Sequence, residues 1–179
     1  MTSKRFYPLA LSALAIAAAC GPSISSDRDV SIPIPVGATF ALVGGANVGE
    51  ERDATLQSQI THQKIQSAIK AEMISKGFKE APEGQAAFKV RYFISVQTST
   101  SYVTTGGYGY GYGWGWGGGM STTMPVTSKE GGAVIDLLTM SDKLAWRGIM
   151  KGTAGDKAPS QEKVDHAVKT IMATLKPGS

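Results

Sequence analysis

The stretch Phe88-Lys89-Val90-Arg91-Tyr92-Phe93-Ile94-Ser95-Val96-Gln97 decides the fold. Phe88, Val90, Tyr92, Ile94 and Val96 alternate with Lys89, Arg91, Phe93, Ser95 and Gln97. Successive side chains of an extended chain point to opposite faces, so this is the pattern of a half-buried strand. One face belongs to a core and the other is mostly wet, as in an antiparallel sheet. The Ser/Thr-rich residues 98–104 continue the strand.

On the N-terminal side, Pro82-Glu83-Gly84 makes a turn, and a helix precedes it over about Ala54 to Lys76. Ile65, Ile69 and Met73 recur at a spacing of four, Asp53 is a candidate N-cap and Gly77 a C-cap. Before the helix, Thr39-Phe40-Ala41-Leu42-Val43 is a short β-type run closed by Gly44-Gly45. On the C-terminal side, Ala133 to Thr139 and Leu144 to Lys151 form a hairpin about the turn Ser141-Asp142-Lys143. A last helix starts behind Pro159, with Ser160 as its cap and Glu162 in its positive first turn. Val164, Ala167, Val168, Ile171, Met172 and Leu175 make its apolar stripe. The order predicts an α+β domain over residues 38–176. Its expected architecture is an antiparallel sheet of about four to five strands, with two helices packed on one face. A flexible Gly/aromatic hairpin arm is expected at residues 105–127.

The N-terminus reads differently. Lys4-Arg5 is followed by the uncharged run Phe6 to Ala19, which ends in Ala17-Ala18-Ala19 and leads into Cys20-Gly21. A basic start, an apolar middle and a small-residue approach to a cut site make a secretory signal peptide, here residues 1–19. The run is too short to span a bilayer as a helix. Its end resembles a bacterial lipobox, in which the thiol of Cys20 is acylated and becomes the mature N-terminus. Residues 20–37, with Pro22, Pro33 and Pro35, then read as a lipidated tether.

The chain has 179 residues, 18 Lys+Arg, 14 Asp+Glu and one cysteine. Loss of Lys4 and Arg5 with the leader lowers the net charge from +4 to +2. That is no footprint for nucleic acid, and one cysteine allows no internal disulfide. No metal or cofactor motif is present. His62 and His166 lack Cys or acidic partners at ligand spacing and read as ordinary surface positions. Asp136 stands alone between apolar neighbours and is expected to face water or to pair with a cation on the adjacent strand. No catalytic residue is assigned. An enzyme would need Glu50, Glu51, Asp136 or His62 to converge in one pocket.

Between the long strand and the hairpin lies Gly106 to Gly119, in which Tyr108, Tyr110, Tyr112, Trp114 and Trp116 alternate with glycine. No lysine, helix start or βαβ unit follows at phosphate-loop spacing. No charge occurs from Tyr92 to Ser128, which argues against a nucleic-acid backbone partner. In extended form the five rings share one face. They suit a mobile tip, a membrane headgroup layer, or a protein or glycan partner.

Taken together, Ile65-Gln-Ser-Ala-Ile69 with Met73, Lys76-Gly77-Phe78, Phe88 to Phe93, the Gly/Tyr/Trp tract, Gly132 to Leu137, Leu144-Ala-Trp-Arg-Gly148 and the closing helix resemble the DUF4136 family of bacterial envelope lipoproteins. The resemblance runs from about Thr39 to Leu175, and the Pro-rich leader departs from it. It implies a Gram-negative source, no assigned activity and no catalytic residues to carry over. Gly21 after the cysteine implies sorting to the outer membrane, with the domain on the periplasmic side. The expectation is a non-enzymatic outer-membrane lipoprotein, held by palmitate-type acylation at Cys20, with a binding or scaffolding domain. An envelope enzyme acting on peptidoglycan or lipid is the alternative.

Overall fold

The computed structural model describes residues 21–47, 58–105, 122–155 and 157–178. It contains β1 (Ser23–Arg28), β2 (Thr39–Asn47), α1 (Gln59–Ser75), β3 (Lys79–Glu80), β4 (Phe88–Thr105), β5 (Thr122–Thr139), β6 (Leu144–Thr153) and α2 (Gln161–Met172). Among the described residues the strands form one open sheet in the order β1-β6-β5-β4-β2-β3. The class is α+β with two helices, as expected. The sheet is larger than the four to five strands predicted, and it is mixed: β2 runs parallel to both β4 and β3. Two strands joined through a helix have the connection length that a parallel pair requires, and β2-α1-β4 is such a unit.

The alternation in β4 sets the core. Register places Val90 opposite Leu137 and Tyr92 opposite Ile135, and Leu137 opposite Trp146 on β6. These residues share one face of the sheet and pack with Ile69 and Met73 of α1 and Val164, Val168 and Ile171 of α2. Phe40 closes the β2 end, with its ring edge-on to Phe78 at 6.5 Å between centroids.

Local chemistry fixes both helices. Gly77 adopts φ +87°. Its N–H donates to Ile74 O and the Phe78 N–H donates to Met73 O, the paired bonds of a left-handed helix stop that glycine makes without strain. Ser160 Oγ accepts the Lys163 N–H at the start of α2. The described part of α1 begins at Gln59 after Ser58; residues 54–57 and the candidate cap Asp53 lie outside the described residues.

The expected tether needs correction. Ser23–Arg28 is the edge strand of the sheet, antiparallel to β6. Beyond it Ile34 is 1% exposed in the core, and Ile34 O accepts the Gly178 N–H at the other end of the chain. The polar sequence of β1 carries no apolar alternation because both its faces are largely exposed.

Candidate functional site

Three features offer themselves, and they lie apart. The first is on the sheet face away from the core. Asp136 on β5 and Arg147 on β6 are register partners. Arg147 Nε donates to Asp136 Oδ1 and Nη2 to Oδ2, both at 2.7 Å. The fork matches the planar carboxylate and holds it in place. The same hydrogen bond raises the Arg147 pKa. Lys89 likewise donates to Asp142 in the β5–β6 turn, and this holds the Asp142 carboxyl below its ordinary range. Phe93, Ser95, Val134 and Ile149 border a shallow hollow of about 230 Å³ beside Arg147.

The second lies between helices and sheet. His62 Nδ1 and Tyr92 Oη are 2.8 Å apart, and Tyr92 is 1% exposed. Burial raises the phenol's pKa, partly offset by a hydrogen bond from Gln66. The Tyr92 ring lies over Gly45, where a Cβ would fall 2.1 Å from the ring's Cζ. Only glycine therefore fits at that register shift in β2. Next to it, Thr61, Ile65, Ala133, Met150, Val164 and Val168 line a cavity of about 190 Å³. Apolar cavities of about 150 Å³ stay dry and admit ligands the size of benzene.

The third is the outer half of the β4–β5 hairpin. The two strands remain paired from Thr98↔Lys129 to Thr105↔Thr122. No other described strand pairs with this ribbon beyond Thr153, which lies opposite Glu130. Tyr102 and Met124 are 74% and 62% exposed, the largest apolar exposures among the described residues of the hairpin. The ribbon is longer than the sequence suggested: strand structure reaches Thr105 and resumes at Thr122, inside the expected arm of 105–127. Continuous antiparallel pairing holds these Ser/Thr residues, whose side chains alone show no clear pattern.

His62 is not the ordinary surface position expected; it is half-buried and bonded to a core phenol. Asp136 pairs with a cation on the neighbouring strand, one of the two outcomes anticipated. His166 is exposed on α2. His62 and Asp136 belong to opposite faces of the sheet and do not converge. Among the described residues no group of three or more His, Cys, Asp and Glu side chains could hold a metal. No described helix is long and apolar enough to cross a membrane. Cys20, Glu50, Glu51, Tyr108, Tyr110, Tyr112, Trp114 and Trp116 lie outside the described residues. Sequence reasoning missed the cavity and the His62–Tyr92 pair. The one signal was Gly45, the second of the two glycines that close a β-type run.

A known sequence profile, described as a domain of unknown function (DUF4136), matches residues 24–175. The chain belongs to the DUF4136 family. The match includes β1, so the DUF4136 domain starts ahead of the boundary expected at residue 38. No curated protein matches the chain. Among solved structures, this DUF4136 domain is similar to a PelC dodecamer from Paraburkholderia phytofirmans, with 13% identity and a TM-score of 0.51 over 89% of this chain and 100% of that one. It is also similar to a PDZ domain protein from Parabacteroides distasonis, with 11% identity and a TM-score of 0.53 over 87% of this chain and 35% of that one. At such identities the likeness is one of fold.

Proposed function

We propose that this DUF4136 protein is a non-enzymatic lipoprotein of the outer membrane, with its domain on the periplasmic side. Cys20 carries the anchor, and the ribbon with its aromatic tract makes the working contact with an envelope protein, a glycan or the membrane itself. The observation that carries the reading is the ribbon: beyond Lys129 its described side chains are exposed, its sequence there carries no charge, and the sequence that joins its strands alternates glycine with Tyr and Trp. The leader supports the anchor, because a basic start, a short apolar run and Ala-Ala-Ala-Cys20 fall in order. Several acyl chains would hold the domain firmly where one gives only marginal binding. The polar pairs support a scaffold over an enzyme, since the Asp136 carboxylate is consumed by Arg147 and His62 by Tyr92. The dodecameric state of the PelC structure makes self-assembly a natural part of this reading.

Metabolic labelling with a palmitate analogue, followed by membrane fractionation, tests the anchor. Wild-type chain should incorporate label and sediment with membranes, and Cys20→Ala should lose both. Equal sedimentation of the two would refute the anchor. Crosslinking from the tract in intact cells identifies the contact.

A further inference from the structure

The cavity of about 190 Å³ between α1, α2 and the core face of the sheet takes no part in the contact proposed above. Its inner end is sealed. Tyr92, Ile135 and Ile171 border it and are at most 3% exposed. Its outer end reaches the surface: Pro159 and Ala167 are partly buried and Lys163 is exposed, and all three border the same space. Two alanines leave the room. Ala133 on β5 stands in register between Ile94 and Met150, and Ala167 stands on α2. A branched side chain at either place would fill part of the volume. A core packed to ordinary density leaves few voids larger than a water molecule, and the lining of an empty one forfeits its contacts. A void of this size that opens to the surface is the form a ligand site takes.

The chemistry of the lining selects the ligand. Of the residues that border the cavity, only Thr61, Tyr92 and Lys163 carry a polar side chain. The Tyr92 hydroxyl lies 2.8 Å from His62 Nδ1, and Thr61 is engaged within the protein. The interior therefore offers a ligand no ready polar partner, and a polar group buried without one is costly. Hydrocarbon is what fits. Sites for drug-sized ligands run to about 300–1,000 Å³, so this one suits a single short tail of about the bulk of benzene. At the mouth the charge is positive. Lys163 is the one charged residue on the border, and Lys64 Nζ donates to the carbonyl of bordering Pro159 at 2.9 Å. Glu162 and Asp165 of α2 do not border the cavity, and Asp165 accepts from Gln161. An acidic head at the mouth meets cations there; an ammonium head meets only like charge.

We propose that this cavity binds an anionic amphiphile, with one short hydrocarbon tail lodged between α1, α2 and the sheet and its acidic head held at Lys163 and Lys64. The site stands apart from Cys20 and from the ribbon, so it stands or falls without them. A free carboxylic acid and the acyl chain of an anionic lipid share this chemistry, and the test separates the two.

The full-length protein is reconstituted in nanodiscs of phosphatidylcholine and illuminated with octanoic acid that carries a diazirine on its tail. Mass spectrometry then maps the labelled peptides. The expected result is labelling confined to the turns that carry Thr61, Ile65, Val164 and Ala167, displaced by excess octanoate and far less by octyltrimethylammonium. Label spread over the surface overturns the site, and equal displacement by the cation overturns the anionic head. Ala167→Leu should abolish the label while melting at or above the wild-type temperature, because filling a cavity stabilises. Ala133→Val makes the same test from the sheet side and keeps it decisive should Ala167→Leu not fold. Full labelling of either folded variant overturns the site. Lys163→Gln should weaken octanoate by about two- to fivefold, the worth of an exposed ion pair, and leave octanol unchanged. Equal loss for both, or for neither, overturns the assignment of the head. In discs that contain phosphatidylglycerol, a label that persists assigns the ligand as the free acid, and a label that is displaced assigns it as the lipid chain; either result upholds the site.

Discussion

The two halves of the β4–β5 hairpin share register, pleat and chain, yet they live under opposite rules. In the inner half, Val90, Tyr92, Ile135 and Leu137 are buried beneath two helices, and each position is constrained by volume. In the outer half Tyr102 and Met124 stand largely in solvent. Stability is concentrated in the first half, because burial of apolar surface is the dominant favourable term in folding. The second half contributes little to folding, so its uncharged sequence answers to whatever it touches.

Trp146→Ala breaks the comparison hardest. Trp146 is 1% exposed between α2 and the sheet, and its removal should cost about 3–5 kcal/mol by chemical denaturation. A loss under about 1 kcal/mol would show that the body is not the stable half. Asp136→Ala comes next. It strands the Arg147 guanidinium without its fork partner and should cost about 1–3 kcal/mol. Arg147→Met combined with it should recover part of that loss in a double-mutant cycle.

Tyr92→Phe probes the inner half more gently. Loss of the His62 bond should cost about 1 kcal/mol at neutral pH. Because burial raises the phenol's pKa above its ordinary 10.0, folding favours the neutral form. That stability is fully present below the ordinary value and is lost as pH rises through the raised one. Alkaline melting curves should therefore fall for wild type and flatten for Tyr92→Phe. The smallest effect is expected at the far end. Replacement of Tyr108, Tyr110, Tyr112, Trp114 and Trp116 by Gly and Ser should move stability by less than about 0.5 kcal/mol while weakening membrane or partner capture. A large stability loss would erase the distinction between the halves.

How much of this was legible varied along the chain. The period of two at Phe88–Gln97 announced the inner strand because one side of it meets a core. The caps at Gly77 and Ser160 were legible because each performs a local task. β1 was not, because an edge strand exposed on both faces keeps a polar sequence that reads as tether. The parallel placement of β2 was equally hidden, since a short apolar run does not reveal which neighbour it pairs with or in which direction. Of the site, the Asp136 pairing could be anticipated from its apolar neighbours, as a lone carboxylate in a strand seeks a cation across the ladder. His62 could not, since its bond to Tyr92 depends on how a helix is laid over the sheet.

The chain has three tryptophans, and their distribution has an optical consequence. Trp146 is sealed in the core with its indole Nε1 hydrogen-bonded to nothing described, an apolar setting in which indole emits at short wavelength. Trp114 and Trp116 belong to the tract. Substituting both with Phe leaves Trp146 as a private reporter of unfolding, and the difference spectrum then reads the polarity around the tract alone.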